Sequence, residues 1–206
     1  MNKIVKNALI LMAITLVSGT LLGLVYEITK EPIAQAEAQA QQEAYKAVFP
    51  GPAELTEDEG KTDTLTDAAA TLETAGYGDN TIEDWYLMEE GGEVVGVVMN
   101  ITSHAGYGGD INFSMGIALD GTVKGVEILT INETAGLGMR ADEDEFKGQY
   151  RDKNVEAFEV TKTGAAQDHE IDAISGATIT SNAVTNGVNA GICFYQSLVE
   201  GGIVHE

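Results

Sequence analysis

The first pattern along the chain is an uncharged apolar run from Ala8 to Val25, which reads ALILMAITLVSGTLLGLV. A run of this length approaches what is needed to cross the hydrocarbon core of a bilayer, and a helix that is apolar on every side is not typical of a soluble protein. We therefore predict a transmembrane helix over residues 8–28. A cleaved signal peptide is the alternative, because Lys3 and Lys6 precede the run, but the run is longer than the usual signal-peptide core.

Positive charges flank this run unequally. Lys3, Lys6 and the N-terminal amine precede it, whereas Lys30 follows it close to Glu27 and Glu31. Because flanking segments rich in Lys and Arg stay in the cytoplasm, the N-terminus is predicted to be cytoplasmic and the rest of the chain to lie outside. The pattern thus predicts a single-pass protein of the cell membrane.

The pattern after the run predicts a helix and then a polar region. The stretch from Glu31 to Phe49 is rich in Ala, Gln and Glu, and Pro32 suits the first turn of a helix. We expect this helix to continue the membrane anchor into the outer domain. Residues 54–80 are acidic and rich in Thr, and we predict loops there with one short helix over 67–74.

Runs of β-prone residues from Trp85 onward are typical of β-strands. Gly91-Gly92 joins DWYLMEE to EVVGVVMNIT, and Asp120-Gly121 joins INFSMGIAL to TVKGVEILTI. Such two-residue links are hairpin signals, so the four runs predict an antiparallel meander. A further strand is predicted over residues 157–164.

The last part of the chain has a helical period. Apolar residues recur there every three or four positions, at Val184, Val188, Ile192, Tyr195 and Val199. Thr180 or Ser181 is the candidate N-cap, and Gly201-Gly202 ends the helix. The order of helix, strands and helix predicts an α+β domain in which helices pack on an antiparallel sheet.

Charge and composition narrow the function classes. The 206 residues carry 33 acidic and 11 basic side chains, for a net charge of −22. Phosphate backbones bind to basic patches, so we predict no nucleic-acid partner. Cys193 has no second cysteine to pair with, and the three histidines are far apart in sequence. We therefore predict no metal site, and no nucleophile–base pair indicates catalytic residues.

One short segment, DAISGATITSNAV at residues 172–184, is dominated by small and hydroxyl side chains. It joins an extended segment to the start of the last helix. Small side chains let a ligand approach the backbone, and the free N–H groups of a helix N-terminus favour an anion. Hydroxyls at Ser175, Thr178, Thr180 and Ser181 add donors, so the segment predicts a phosphate site. A capped helix after a tight turn, with no ligand, explains the same residues.

The same segment matches a known motif. Asp172, Ser175, Gly176, Ala177 and Thr178 fit the pattern D-x-x-(S/T)-G-A-T, which resembles the recognition motif of covalently flavinylated domains. In that family a flavin transferase takes FMN from FAD and joins its phosphate to the last Thr of the motif. The resemblance implies a phosphodiester between FMN and Thr178 Oγ1.

A longer stretch, AGYGGDINFSMGIALDGTVKGVEILTINETAGLG at residues 105–138, looks like the G subunit of the Rnf complex, the membrane-bound ferredoxin:NAD+ oxidoreductase. That family has a Gly-Tyr-Gly-Gly turn, an Asp-Gly hairpin and a Glu-Thr-Pro-Gly-Leu-Gly loop, in which Ala135 replaces the Pro here. The likeness covers nearly the whole chain, best from Gly92 to Ser197. The C subunit of the Na+-translocating NADH:quinone reductase shares the flavinylation motif but is usually longer, and ranks second.

The resemblance implies a role for each candidate residue. Thr178 carries the flavin, and its neighbours shape the phosphate pocket, namely Ser175, Gly176, Ala177, Thr180 and Ser181. Asp172 holds Mg2+ or positions the hydroxyl during flavin transfer, or else only caps a turn. A Gly-rich loop runs along the flavin, formed by Glu133, Thr134, Gly136, Leu137 and Gly138, with Leu137 against the ring. Tyr107 flanks the ring. A plain connector and a packing anchor are the alternatives for the loop and for Tyr107.

The resemblance also implies the domain order and the function. Residues 1–7 form a cytoplasmic tail, 8–28 the membrane helix, 29–90 a helical linker with the acidic first part of the outer domain, 91–200 the FMN-binding domain, and 201–206 a tail. The protein is expected to be a redox subunit of a complex that couples ferredoxin oxidation and NAD+ reduction to export of Na+ or H+. Its expected partners are the other membrane and redox subunits, and a flavin transferase during maturation.

Two other functions fit the sequence less well. A free-standing anchored flavoprotein of extracellular electron transfer is the first, although we find neither a substrate pocket nor a second domain in the sequence. The second is an anchored binding or structural protein without flavin. The presence or absence of bound flavin in the purified protein separates this last class from the others.

Overall fold

The computed structural model describes residues 2–204. The chain divides into two compact units, residues 1–40 and residues 41–206. The predicted tails include Met1, His205 and Glu206, which lie outside the described residues. The secondary structure confirms the predicted α+β class, with one long N-terminal helix, a five-stranded antiparallel sheet and further helices.

A single helix, α1 (Lys3–Val48), contains the predicted membrane span. Its most apolar 18-residue window has a mean hydropathy of 2.4, and none of that window is buried within the protein. The helix is therefore long and apolar enough to cross a bilayer. Pro32 lies inside α1, so the predicted helix start at Pro32 was wrong. The Ala-, Gln- and Glu-rich sequence that follows has a high enough helix propensity to continue the helix past the proline.

Five antiparallel strands form the main sheet in the order β1-β2-β3-β4-β5. They are β1 (Glu54–Thr56), β2 (Asn80–Glu90), β3 (Glu93–Ser103), β4 (Ile111–Ala118) and β5 (Val123–Ile131). The predicted meander is confirmed as β2 to β5, and both predicted hairpin links fall between paired strands. The sequence missed β1, because three residues are too few to show an alternating pattern.

The helix in the acidic region is longer than predicted. It is α2 (Lys61–Ala75), and it ends at Gly76, whose φ of +84° is the left-handed conformation that favours glycine. Of its side chains, Ala68 and Leu72 are the buried ones. So thin an apolar stripe gives little periodic signal, which is why only the second half of this helix was predicted.

The C-terminal third contains short elements followed by one long helix. They are a 3-10 helix at Gly138–Asp142, α3 (Asp144–Lys147), a 3-10 helix at Gly148–Tyr150, β6 (Glu159–Thr161), β7 (Glu170–Asp172) and α4 (Thr178–Glu200). The strand predicted over residues 157–164 is reduced to β6, which pairs in parallel with β7 outside the main sheet. Helix α4 begins at Thr178, before both predicted N-caps, and no side chain caps it.

The two faces of the sheet are covered by different helices. Side chains of α4 and α2 pack on one face and build the main core with Trp85 and Phe113. The last turn of α1 packs on the other face, where Tyr45 and Val48 contact Met88. Burial of apolar surface on both faces is the main source of stability for this unit. The same packing fixes the position of α4 on the sheet.

Candidate functional site

Two loops and the start of α4 enclose a cavity of about 470 Å³. This volume falls in the range of small-molecule sites, roughly 300–1,000 Å³. The cavity is lined by Tyr107, Glu133, Thr134, Leu137, Gly138, Gly176, Ala177, Thr178, Ile179 and Thr180. The structure therefore brings together three segments that the sequence analysis selected separately, at residues 107, 133–138 and 176–180.

The first turn of α4 presents free hydrogen-bond donors to this cavity. The first intrahelical backbone bond is donated by Ser181 to the Ala177 carbonyl, at 3.0 Å. The N–H groups of Thr178, Ile179 and Thr180 consequently have no acceptor within the helix. Together with the helix dipole they favour an anion at this point. Thr178, the first helical residue, is half-buried and lies on the cavity wall.

Two hydrogen bonds of the Ser181 hydroxyl hold the turn before α4. Ser181 Oγ accepts a hydrogen bond from the Ile174 N–H and donates one to the Ala177 carbonyl, both at 3.0 Å. Gly176 has a φ of +80°, which a residue with a side chain rarely adopts. Ser181 is fully buried and does not line the cavity, so its hydroxyl shapes the turn without facing a ligand.

The loop after β5 forms the opposite wall. Leu137 N–H and Met139 N–H both donate to the Thr134 carbonyl, at 3.1 and 3.3 Å. A Cβ at Gly138 would lie 2.7 Å from the Cβ of Glu133 and 2.8 Å from Thr180 Oγ1. Only glycine fits such a close approach of loop and helix. Gly136, with a φ of +76°, belongs to the same loop but is not part of the cavity wall.

Apolar side chains at the cavity are unusually exposed. Tyr107 is 71% exposed, Ile179 53% and Leu137 41%. In the described part of the second unit, residues 41–204, the only other large apolar side chain with comparable exposure is Met139, which follows the Leu137 loop. Large apolar side chains exposed together mark a binding site more often than chance scatter does. The cavity thus offers a flat apolar ligand a contact surface beside its anion-binding end.

Two further predicted site residues line a different cavity. Asp172 and Ser175 line a neighbouring cavity of about 380 Å³, together with Arg140. Asp172 Oδ1 accepts a hydrogen bond of 2.7 Å from Ala165 N–H, which braces the loop before β7. The hydrogen bond that Arg140 donates to the Glu143 carboxylate raises the pKa of Arg140. Among the described residues no group of His, Cys, Asp and Glu side chains is arranged to hold a metal ion.

Comparison with known proteins identifies the family. The FMN-binding domain family matches residues 106–192, and the RnfG N-terminal region matches residues 1–48. The G subunit of the proton-translocating ferredoxin:NAD(+) oxidoreductase complex of Clostridium ljungdahlii is 32% identical, over 85% of this chain and 83% of its own length. The G subunit of the Na(+)-translocating ferredoxin:NAD(+) oxidoreductase complex of Acetobacterium woodii is 33% identical, over 94% and 92%. The chain belongs to the RnfG family.

A solved structure resembles the chain more distantly. The C subunit of the Na(+)-translocating NADH-quinone reductase from Parabacteroides distasonis is 21% identical, covers 61% of this chain and 67% of its own, and has a TM-score of 0.44.

Membership of the RnfG family confirms the predicted class of function. The chain carries an FMN-binding domain, it is a redox subunit of an ion-translocating oxidoreductase complex, and the other subunits of that complex are its partners. The apolar N-terminal helix and these relatives together make it a membrane-associated protein. All ten residues that line the cavity lie within residues 106–192, the FMN-binding region.

The residues that line the cavity have the chemical character that FMN requires. The free N–H groups at the start of α4 and the small residues Gly176 and Ala177 suit a phosphate, because they leave room for its oxygens and provide donors. The exposed side chains of Tyr107 and Leu137 suit a flat aromatic ring.

One cavity residue, Ile179, was not predicted from the sequence. Its side chain is 53% exposed and lines the cavity directly beside Thr178. A signal for it exists in the sequence. Residues in phase with Val184 and Val188 fall at 177 and 180, so an isoleucine at 179 lies off the buried stripe of α4. A large apolar side chain that is out of phase, next to a candidate attachment residue, indicates contact with a ligand.

Proposed function

We propose that this protein carries FMN bound covalently to Thr178 Oγ1 and passes electrons within a membrane complex that couples ferredoxin oxidation and NAD+ reduction to translocation of Na+ or H+. The names of the relatives from Clostridium ljungdahlii and Acetobacterium woodii support the reaction and the coupling. The observation that carries the covalent linkage is the position of Thr178, a half-buried hydroxyl residue at the first position of α4 and on the cavity wall.

Other hydroxyl groups near the cavity are poorer attachment points. Thr180 is 1% exposed, and fully buried Ser181 uses its hydroxyl both as donor and as acceptor inside the turn. Ser175 lines the neighbouring cavity. Thr134 is exposed and lines the flavin cavity, but it does not lie at the helix N-terminus. Thr178 alone in this group combines access, a place in the cavity and adjacent backbone donors.

The attachment reaction conserves atoms and involves no oxidation. A flavin transferase presents FAD, and Thr178 Oγ1 forms a bond to the phosphorus on the FMN side of the diphosphate. The bond from that phosphorus to the bridging oxygen breaks, and AMP leaves with the bridging oxygen. The proton of the Thr178 hydroxyl passes to a base of the transferase or to the departing AMP. The small side chains of Gly176 and Ala177 leave room for the transferase at the hydroxyl.

In the mature protein the chain holds and orients the cofactor. FMN supplies reversible uptake of one or two electrons, and the protein sets its position and surroundings. The N–H groups of Ile179 and Thr180 would hold the phosphate, and Leu137 and Tyr107 would contact the ring. Glu133, Thr134, Gly136 and Gly138 form the loop that places Leu137. Ser181 fixes the turn, and Asp172 with Ser175 forms the outer side of the turn that the transferase recognises.

The proposed topology follows from the charges around the apolar segment of α1. Lys3 and Lys6 precede the apolar segment, whereas Lys30 follows it with Glu27 and Glu31 close by. The excess of positive charge at the N-terminus favours a cytoplasmic N-terminus. The helix then spans the membrane once and the FMN-binding domain lies on the outer face.

The covalent linkage is tested by the intact mass of the full chain, purified in detergent after co-production with a flavin transferase in an exporting host. The wild type is expected to gain the mass of one FMN less one water, and Thr178→Ala to gain nothing. Thr134→Ala is the matched control, since it removes another cavity threonine and should keep the full gain. An unmodified wild type, or a modified Thr178→Ala variant, would contradict the proposal.

A further inference from the structure

The loop between β3 and β4, residues 104–110, is closed at its base by a histidine. His104 is the first residue of this loop and Asp110 is the last, and His104 Nδ1 lies 3.0 Å from Asp110 Oδ1. His104 Nε2 lies 2.9 Å from Thr81 Oγ1 on β2. In a neutral ring Nδ1–H donates to Asp110 and Nε2 accepts from the Thr81 hydroxyl, so both ring nitrogens are used. The histidine thus joins the two ends of the loop and ties them to the sheet.

A second contact holds the tip of the same loop, at Tyr107. The N–H of Tyr107 donates to Glu133 Oε1 at 2.8 Å, and Glu133 belongs to the opposite wall of the flavin cavity. This bond joins residues 26 positions apart. A carboxylate that accepts from a backbone N–H makes a strong, charge-assisted hydrogen bond. This hydrogen bond therefore links two walls of the cavity at Tyr107.

Glycines make the loop too tight for other residues. A Cβ at Gly106 would lie 2.2 Å from the Gly109 carbonyl oxygen, and a Cβ at Gly108 would lie 2.1 Å from the Asn132 carbonyl oxygen. Gly109 has a φ of +127°. A side chain at Gly106 or Gly108 would force the backbone to move, and one at Gly109 would be strained by that φ. The loop is consequently built for one conformation, with fixed points at both ends and at the tip.

The side chain at the tip does not stabilise the protein by its own packing. Tyr107 is 71% exposed, and among residues 2–204 its ring and hydroxyl have no aromatic partner or hydrogen bond. The conformation of the loop at Tyr107 is set by the contacts of His104 and Glu133 and by the three glycines. Burial of the Tyr107 side chain does not set it. Its ring lines the flavin cavity, so what the loop positions is a ring beside the cofactor.

We propose that His104 and Glu133 are positioning residues that hold the Tyr107 ring against the flavin. This inference rests on the proposed attachment of FMN at Thr178. A tyrosine ring in contact with a flavin quenches the flavin's fluorescence by donating an electron to the excited state, which returns on decay. Fluorescence therefore reports the position of Tyr107, independently of whether the complex turns over.

The test uses the flavinylated full chain in detergent, with flavin content fixed by intact mass. Tyr107→Leu is expected to raise the flavin fluorescence several-fold, and His104→Ala and Glu133→Ala should each raise it partway. Glu133→Gln should stay near the wild type, because its amide oxygen can still accept from the Tyr107 N–H. His169→Ala is the control for loss of a histidine outside the loop. Emission of the single tryptophan, Trp85, checks that each variant is folded.

A double variant separates positioning from a general structural effect. In the Tyr107→Leu background, His104→Ala should add nothing to the fluorescence, because the ring it positions is absent. An equal increase in that background, or no increase in Tyr107→Leu itself, would overturn the proposal while leaving the attachment at Thr178 intact. If the wild type carries no flavin by mass, the attachment fails and the positioning role fails with it.

Discussion

At Asn189 a single side chain joins α4 to the segment before β6. Its Nδ2 donates to the Phe158 carbonyl at 2.9 Å, and the Phe158 N–H donates to its Oδ1 at 2.8 Å. The Phe158 ring meets Tyr150 edge to face, with centroids 5.2 Å apart. The Tyr150 hydroxyl lies 2.8 Å from Thr185 Oγ1 on α4, and burial raises the pKa of Tyr150. These contacts hold the helix that presents Thr178.

We expect Asn189→Ala to lower the free energy of unfolding by about 2–4 kcal/mol, because two buried hydrogen bonds are lost and the Phe158 N–H and carbonyl are left without partners. Asn186→Ala is the matched control on the same helix. Asn186 is exposed, so its loss should change the free energy by less than about 0.5 kcal/mol. Urea unfolding in detergent, followed by Trp85 emission, measures both. Equal losses in the two variants would contradict this role of Asn189.

An individual site residue could be predicted where the residues that define its role are neighbours in sequence. Thr178 could be selected as the candidate attachment residue because its motif and the helix pattern after it are contiguous in sequence. Ser181 was expected to cap the helix and face the phosphate, yet it is buried beneath the turn. Helix α4 begins at Thr178, so Ser181 lies one turn inside the helix, where its hydroxyl donates back to the Ala177 carbonyl. The bond between Tyr107 and Glu133 spans two loops, so no local pattern could show it.

Among the elements, the end of α1 approaches the sheet closely because glycines lie beneath it in the strands. Gly116 and Gly125 are paired on β4 and β5, and both lie under Val48. A Cβ at Gly116 would be 2.6 Å from the Val48 carbonyl oxygen, whereas one at Gly125 would be no closer than 3.4 Å to Val48 Cα. The first approach is too close for any side chain and the second is an ordinary contact. The two glycines thus have different packing constraints.

This difference predicts unequal outcomes for the same substitution. Gly116→Ala should lower the free energy of unfolding by about 1–3 kcal/mol, because the added methyl group displaces the backbone at Val48. Gly125→Ala should be within about 1 kcal/mol of the wild type or slightly more stable, since it removes conformational freedom from the unfolded chain. The same urea experiment compares them, and a larger loss for Gly125→Ala would show that Val48 does not pack as described.

Elements were predictable where the pattern was long enough. The two hairpins have strands of eight to eleven residues and strong turn signals, so the meander was predicted correctly. Strand β1 and strand β6 have three residues each. Strands this short show no period, and their pairing depends on tertiary contacts. The parallel pairing of β6 with β7 likewise depends on residues 11 positions apart, Glu159 and Glu170.

For the whole molecule, composition and pattern were enough to predict the class of the fold and the membrane helix, whereas the family was predicted from the resemblance of its motifs. The single apolar helix, the antiparallel sheet and the final helix each carry a signal that spans many residues. The cavity was predictable only as three separate segments, because its enclosure depends on how the sheet brings residues 107, 133–138 and 176–180 together. The resemblance to a family supplied the chemistry that these segments share.

Topology is the property of the whole molecule that the sequence predicts most directly. In a Cys193→Ser background, which removes the native thiol, Asp67→Cys places a thiol on the exposed face of α2 and Asn2→Cys places one before α1. Since Lys3 and Lys6 favour a cytoplasmic N-terminus, a membrane-impermeant maleimide added to spheroplasts should label Asp67→Cys and leave Asn2→Cys unlabelled. Permeabilisation should make Asn2→Cys reactive, which controls for its accessibility. Labelling of Asn2→Cys alone in sealed spheroplasts would place the FMN-binding domain in the cytoplasm and contradict the proposed orientation.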